Sequence, residues 1–141
     1  MSSAWALIEN DSEILFVRRA LDRGRGGQWC LPGGTMWKNE RPDVACVREA
    51  FEETGLRVTI VRPVATFHDA HYFLCRLNSP RELMNLRERE CIDSSWIIPT
   101  NLLTLGTIMD LRRMIPLFEF SGLRPPRLPR GLRPAVPEKL F

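Results

Sequence analysis

Three glutamates, Glu49, Glu52 and Glu53, fall within five residues, just before a helix-ending glycine, Gly55. Wound at about 100° per residue they share one helix face, because residues three and four apart are neighbours. Like charges at that spacing destabilise a helix by roughly 0.2–0.5 kcal/mol per pair. They also stand in the last turn, where the helix dipole is already negative. Stability disfavours the cluster twice, which marks it as a candidate for function. A hard divalent cation resolves the conflict. Mg2+, or Mn2+ in its place, prefers carboxylate oxygens, retains waters and often completes its shell with substrate phosphates. It would neutralise the acids and lower the pKa of a bound water. Arg48, beside Glu49 and one turn from Glu52, is placed to orient an acid or meet a phosphate. Taken alone, such a cluster is better explained as a solvated acidic surface. The spacing around it changes that balance.

The element that carries these acids has clear ends. Pro42 suits the first helical position, and Arg41 before it is pushed towards extended backbone. Gly55 suits the left-handed position past the end, with Leu56 as its hydrophobic partner. The spacing predicts a helix over Pro42–Thr54, with Val44, Val47 and Phe51 facing a core. Ala4–Ile8 and Ile14–Val17 read as strands of a hairpin, Val58–Val61 as a strand, and Ala65–Leu77 as one or two more. Glu82–Glu90 is open between helix and loop. Ser95–Ile98 reads as a short strand ended by Pro99. Ile108, Leu111, Ile115 and Phe118 recur at helical spacing, so Leu102–Phe118 reads as one helix. Helices alternating with strands argue for a layered α/β domain.

From Gly34 the chain runs five residues to Glu40, then seven to Arg48-Glu49-Ala50-Phe51-Glu52-Glu53-Thr54-Gly55-Leu56. This resembles the Nudix box, Gx5Ex7REUxEExGU, at every fixed position. Ala50, where a larger aliphatic is usual, is a mild departure. The lead-in Gly27-Gln-Trp-Cys-Leu-Pro-Gly-Gly34 resembles that of many members. The resemblance implies an α/β/α sandwich with a mixed β-sheet over Ala4 to about Phe118. It implies hydrolysis of a diphosphate linkage in a nucleoside diphosphate joined to a further group, or in a nucleoside triphosphate, by attack of water on phosphorus. By position, Glu52 and Glu53 resemble metal ligands, Glu49 the acid that binds metal or takes the water's proton, and Gly33 the source of a carbonyl ligand. Arg48 and Glu40 resemble the pair that holds helix and loop in register. Many members add an acid from a later loop. In Glu-Arg-Glu-Cys-Ile-Asp-Ser-Ser-Trp96, Glu90 is the first candidate, with Glu88 and Asp93 behind it.

Arg18, Arg19, Arg23 and Arg25 flank a glycine-rich loop, and guanidinium groups clamp phosphates bidentately. Arg18, Arg23 and Arg25 are therefore candidate substrate contacts. Trp37 is a candidate for stacking on a base, with packing under its loop the stronger reading. Tyr72, sixteen residues past Leu56, resembles a marker of the dinucleoside-polyphosphate subgroup, with strand packing again the stronger reading. Polar packing is the stronger reading for His68 and His71. Two rival readings stand: hydrolysis at the 5′ end of RNA, and a nucleotide sensor that does not cleave. The complete acid set argues against the sensor.

The chain has 141 residues, 44% hydrophobic and 26% charged, about one domain's worth with an ordinary composition. No apolar run of membrane-spanning length occurs, and the N-terminus lacks a basic start and apolar signal core. The expectations are no membrane partner and a cytoplasmic location. Cys30, Cys46, Cys75 and Cys91 are too widely spaced for a zinc motif and read as reduced, packed thiols. Net charge is +3. From Gly122 onward five basic residues (Arg124, Arg127, Arg130, Arg133, Lys139) face one acid, Glu138, giving +4 and leaving −1 for the rest. The expected organisation is a catalytic domain over 1–121 and a basic Pro/Arg-rich tail over 122–141. A solvated linker is the first reading of that tail. Docking on its own body or on a homodimer partner comes second, and nucleic acid last but not excluded.

Overall fold

The computed structural model describes residues 1–141. β1 (Ser3–Asn10) and β2 (Glu13–Arg19) form the expected hairpin. Its turn is Asp11-Ser12, with φ of 52° and 64°. Left-handed backbone at both turn residues matches the right-handed twist of the flanking strands. The hairpin then forks. β1 and β2 pair only beside the turn, at Glu9↔Ile14 and Asn10↔Glu13. Past that point β4 (Gly33–Thr35) takes the edge of β1, while β3 (Trp29–Cys30) and β7 (Cys91–Ile97) take β2. The chain joining β3 to β4 bridges the fork, the Ala6 N–H donating to the Pro32 carbonyl at 2.8 Å.

β5 (Val58–Phe67) and β6 (Ala70–Leu77) make a second hairpin, and β6 lies parallel to β1 from Ser3↔Ala70 to Glu9↔Arg76. The sheet is therefore mixed. Strand side chains alternate between its faces. Ala4, Ala6, Ile8, Leu15, Phe73 and Cys75 pack with α1 (Pro42–Thr54). Leu7, Ile14, Phe16 and Leu74 pack on the other face with Met114, Leu117 and Phe118 of α2 (Leu111–Phe120). This is the α/β/α sandwich that the resemblance implies. All four cysteines are buried and reduced.

Three expectations are corrected. α1 has the expected ends, with Arg41 extended and Gly55 at φ 74°. Its buried face, however, is Ala45, Cys46, Ala50, Glu53 and Thr54. Val44 and Phe51 are 49% and 42% exposed, and Val47 is half-buried. Small residues let the helix lie close on the sheet, and that rotation turns Glu53 inward at the expense of the two larger apolar residues. The helix read over Leu102–Phe118 is broken. Pro99–Leu105 forms a 3-10 helix, Gly106 (φ 131°) and Asp110 (φ 54°) leave helical backbone, and only Leu111–Phe120 is α-helical. Apolar periodicity cannot see a left-handed residue. Within Glu82–Glu90, helix is confined to a 3-10 turn at Arg81–Leu83, and the rest is irregular.

The third correction is the tail, which docks. Pro116 lies inside α2 and has no N–H for the carbonyl four residues back, that of Arg112. That carbonyl instead accepts the Ala135 N–H at 2.9 Å, and Arg112 Nε donates to the Arg133 carbonyl at 2.7 Å. The chain continues to β8 (Lys139–Leu140), which pairs with β5 at Ala65↔Leu140 and Thr66↔Lys139.

Candidate active site

The acids gather where the hairpin forks. The last turn of α1 lies against β4, and Glu53 is only 2% exposed. Its Oε1 receives the Gly33 N–H at 3.4 Å, a long bond for so buried a charge. Burial pushes its carboxyl up to about 8, Glu90 and Glu49 add to the rise, and the Gly33 amide and Arg23 oppose it. Glu49 is also raised, first by burial, against the pull of Arg48. The backbone at Gly34 passes so close that an added Cβ would stand 2.7 Å from Glu49 Oε2.

Arg48 is the hub of this face. Its Nε and Nη2 grip Glu40 Oε2 and Oε1 at 2.7 and 2.8 Å, a fork-to-fork pair. Nη1 reaches Glu49 Oε1 and Glu52 Oε2, both at 3.1 Å, and Nη2 also reaches the Thr35 carbonyl at 3.1 Å. The grip of Arg48 holds the Glu40 carboxyl down at about 2. The helix and the loop before it are locked in register.

Glu90 arrives from a loop anchored on α1 itself. The carbonyls of Glu53 and Thr54, left open at the helix end, accept the N–H groups of Arg87 and Asn85 at 2.9 and 2.8 Å. Three residues later Glu90 is fixed at both backbone ends: its N–H donates to the Arg87 carbonyl, and its carbonyl accepts Ala20 N–H and Arg23 Nη1. Its Oε2 is buried without a hydrogen-bond partner, Arg87 Nη1 standing 3.8 Å away. Glu88 and Asp93 are exposed.

Glu49 and Glu90 line a cavity of about 320 Å³ with Gly33, Gly34, Arg19 and Arg23. Through Ser3, Trp5 and Arg19 it shares walls with a second cavity of about 420 Å³, which reaches Arg25, Asp110 and Arg113. Arg25 is paired there with Asp110 at 3.0 Å. Arg18 lies outside both cavities and donates from Nε to the Gly27 carbonyl at 2.9 Å, bracing the glycine loop. Trp37 is 62% exposed beneath the Arg48 guanidinium, 3.9 Å from its ring centroid. Tyr72 is buried and lines neither cavity. It stacks behind Trp5, ring centroids 6.5 Å apart, and its hydroxyl accepts from Arg113 Nη1 at 3.1 Å. Sequence reasoning assigns no role to Trp5, Asp110 or Arg113. Trp5 reads as an ordinary strand residue, and only the fork shows that it flanks a cleft. A separate, largely apolar cavity of about 340 Å³ lies at the opposite end of α1, by Pro42, Ile60, Phe73 and Phe141.

The donor set fits a hard divalent ion in its chemistry. Glu53 and Glu90 place carboxylate oxygen in buried surroundings with too few donors, and Glu49 and Glu52 share a single Arg48 nitrogen. No three acidic, thiol or imidazole side chains already converge as a complete coordination group. An ion held by Glu49 and Glu52 would compete with Arg48 for their oxygens.

A family model described as the NUDIX domain matches residues 1–118. A MutT-like protein of Streptomyces ambofaciens is 38% identical over 105 residues, 70% of this chain and 64% of that protein. A protein of Mycobacterium tuberculosis named putative 8-oxo-dGTP diphosphatase 3 is 33% identical over 94 residues, 60% of this chain and 43% of that protein. The chain thus spans less than two thirds of either relative. Among solved structures, a MutT protein from Methanosarcina mazei superposes with a TM-score of 0.61 at 25% identity, over 86% of this chain and 93% of that one. No helix here is long and apolar enough to cross a membrane.

Proposed function

Because this chain belongs to the Nudix family, whose members generally use divalent metal ions, we propose that it is a Mg2+-dependent pyrophosphohydrolase of a small nucleotide. The observation that carries this reading is that Glu49 and Glu90, from a helix and a distant loop, line one cleft with Arg19 and Arg23, while Glu53 is buried behind it on the Gly33 amide and feels the charge of both acids. Glu49, Glu52, Glu53 and the Gly33 carbonyl would hold the ion, with Mn2+ as a substitute for Mg2+. Once bound, that ion lowers the pKa of a coordinated water and offsets charge on the phosphates. Arg48 keeps α1 and its preceding loop in register while Glu49 and Glu52 turn to the ion. Arg19 and Arg23 meet the phosphate chain. Glu90, or Glu49 beside it, accepts the water's proton as the new P–O bond forms, and the bridging P–O bond breaks to release two phosphorylated products. Trp5 offers a flat wall to the nucleoside.

A panel of nucleotides with Mg2+ tests this. Nucleoside triphosphates including oxidised purines come first, since the mycobacterial relative carries an 8-oxo-dGTP diphosphatase name. Sugar nucleotides, ADP-ribose and dinucleoside polyphosphates follow. Release of phosphate or pyrophosphate that ceases with chelator is expected. Nucleotide binding with no turnover of any substrate would favour a sensor and overturn the proposal.

A further inference from the structure

The cleft does not end at the nucleoside wall. The second cavity shares Asp110 and Arg113 with a third, of about 350 Å³, lined by Phe67, His68, Arg112, Ala135 and Val136. Three cavities in series therefore run from the carboxylates, past Trp5, to the tail. A nucleotide whose phosphates meet Glu49 and Glu90 and whose nucleoside meets Trp5 fills the first two. The third then lies beyond the nucleoside, on the side away from its 5′ phosphates. Two arginines stand there, Arg112 and Arg113.

The tail continues this direction. Arg112 donates to the Arg133 carbonyl and accepts from the Ala135 N–H, so the backbone at Arg133 is held beside Arg112 and Ala135, which both line the third cavity. Arg124, Arg127, Arg130 and Arg133 are all exposed, while Pro126 between them is buried. None of the four takes part in an ion pair. The backbone beneath them is held by Leu123 N–H to Phe118, by the turn from Leu132 N–H to Pro129, and by Ala135 and β8 further on. Four unneutralised guanidinium groups on a fixed backbone form a preorganised surface for a chain of phosphates. An acidic body would neutralise them, but the rest of the chain, at −1 overall, pairs none of its carboxylates with them.

We propose that the tail and the third cavity form a binding track for a single-stranded nucleic acid, entering from its 5′-phosphorylated end. The 5′ phosphates sit at the carboxylates, the first nucleoside at Trp5, the next phosphodiester at Arg112 and Arg113, and later ones along Arg133 to Arg124. The orientation rests on the proposed cleavage site; the track itself does not.

The test is fluorescence anisotropy with a labelled ten-nucleotide 5′-triphosphorylated RNA, in Ca2+ to prevent turnover, at several salt concentrations. The four tail arginines on a single strand contribute about −3 to the slope of log K against log salt, beyond the share of Arg112 and Arg113. The variant with Arg124, Arg127, Arg130 and Arg133 all changed to Gln should keep its melting temperature, lose most of that slope and bind about 10- to 100-fold more weakly. A DNA strand of the same sequence that binds alike supports the track as a reader of phosphates. An RNA preference supports it with the ribose also read. The proposal is overturned if the quadruple variant binds RNA like the parent, if the decamer binds no tighter than a nucleoside triphosphate, or if polyglutamate competes as well as RNA. Mononucleotide hydrolysis is assayed separately with Mg2+. Its absence overturns the proposed activity and leaves the binding result to stand.

Discussion

Glu53→Gln in metal-free protein isolates the electrostatic tension at the cleft. The carboxyl rises from an ordinary 4.5 to about 8, chiefly by burial and then by Glu90. Between those values the folded chain holds a proton that the unfolded chain has released. Stability then falls as pH rises, because the unfolded state binds fewer protons than the folded one. The loss begins near pH 4.5 and is complete just above 8. A tenfold difference in proton affinity between the two states corresponds to about 1.4 kcal/mol, so the ceiling is about 5 kcal/mol, and relaxation around the charge brings the expectation to roughly 2–4 kcal/mol. Gln has nearly the same shape, keeps an acceptor for the Gly33 N–H and carries no charge. In chelator, urea midpoints at pH 5, 6.5 and 8 should fall steeply for the parent and only shallowly for the variant, where Glu49 still contributes in the same sense. At pH 8 the variant should be the more stable by about 2 kcal/mol or more; at pH 5 the two should agree within about 1 kcal/mol. Adding Mg2+ at pH 8 should raise the parent and leave the variant nearly unmoved. Parallel pH profiles for the two proteins would refute the account of Glu53 as an uncompensated buried acid.

The same substitution should reduce turnover at least about 10²-fold with Mg2+ present, measured on whichever nucleotide the panel selects, because a positioned water is lost. Glu90→Gln should lower turnover about 10- to 100-fold with little effect on melting, while Glu88→Gln, on an exposed side chain, should be nearly silent; the reverse result would misplace the late acid. Gly34→Ala pushes a methyl into Glu49 and should cost turnover about tenfold or more at nearly unchanged stability, whereas at Gly33 the methyl would meet the Ala4 carbonyl at 2.3 Å and melting should drop. Pro116→Ala restores an N–H that competes with Ala135 for the Arg112 carbonyl, so trypsin should cut after Arg127 and Arg130 several-fold faster; an unchanged rate would remove Pro116 from the account of tail docking.

α1, its ends and its acids are legible in the chain alone, because proline, glycine and charge spacing are local signals. The Arg48–Glu40 pair is equally legible, being a fixed spacing in a motif. The rotation of α1 is not. Val44, Val47 and Phe51 form a better apolar stripe than Ala45, Cys46 and Ala50, and only the closeness of the sheet makes small residues the buried ones. The break at Gly106–Asp110 escapes for a related reason: Ile108, Leu111 and Ile115 recur at helical spacing, so their periodicity survives although the helix does not. Trp5 escapes because the cleft exists only where β1 and β2 part, a separation imposed by β4 and β7. The docking of the tail depends on an N–H missing at Pro116, which frees the Arg112 carbonyl for Ala135, and no local pattern in the tail records a vacancy in a distant helix.

The loop that delivers Glu90 is a ruler. Its zero mark is the end of α1, where Asn85 and Arg87 take up the last carbonyls, and Glu90 is read off three residues beyond. Residues added between Asn78 and Met84 would leave the zero mark in place and disturb at most the Arg81 contacts with Asn10, Glu13 and Trp96. One residue added between Arg87 and Glu90 would turn the acid away from the cleft and bring a neighbour in its place. Length variation among descendants of this chain should therefore accumulate on one side of Asn85 and be purged from the other.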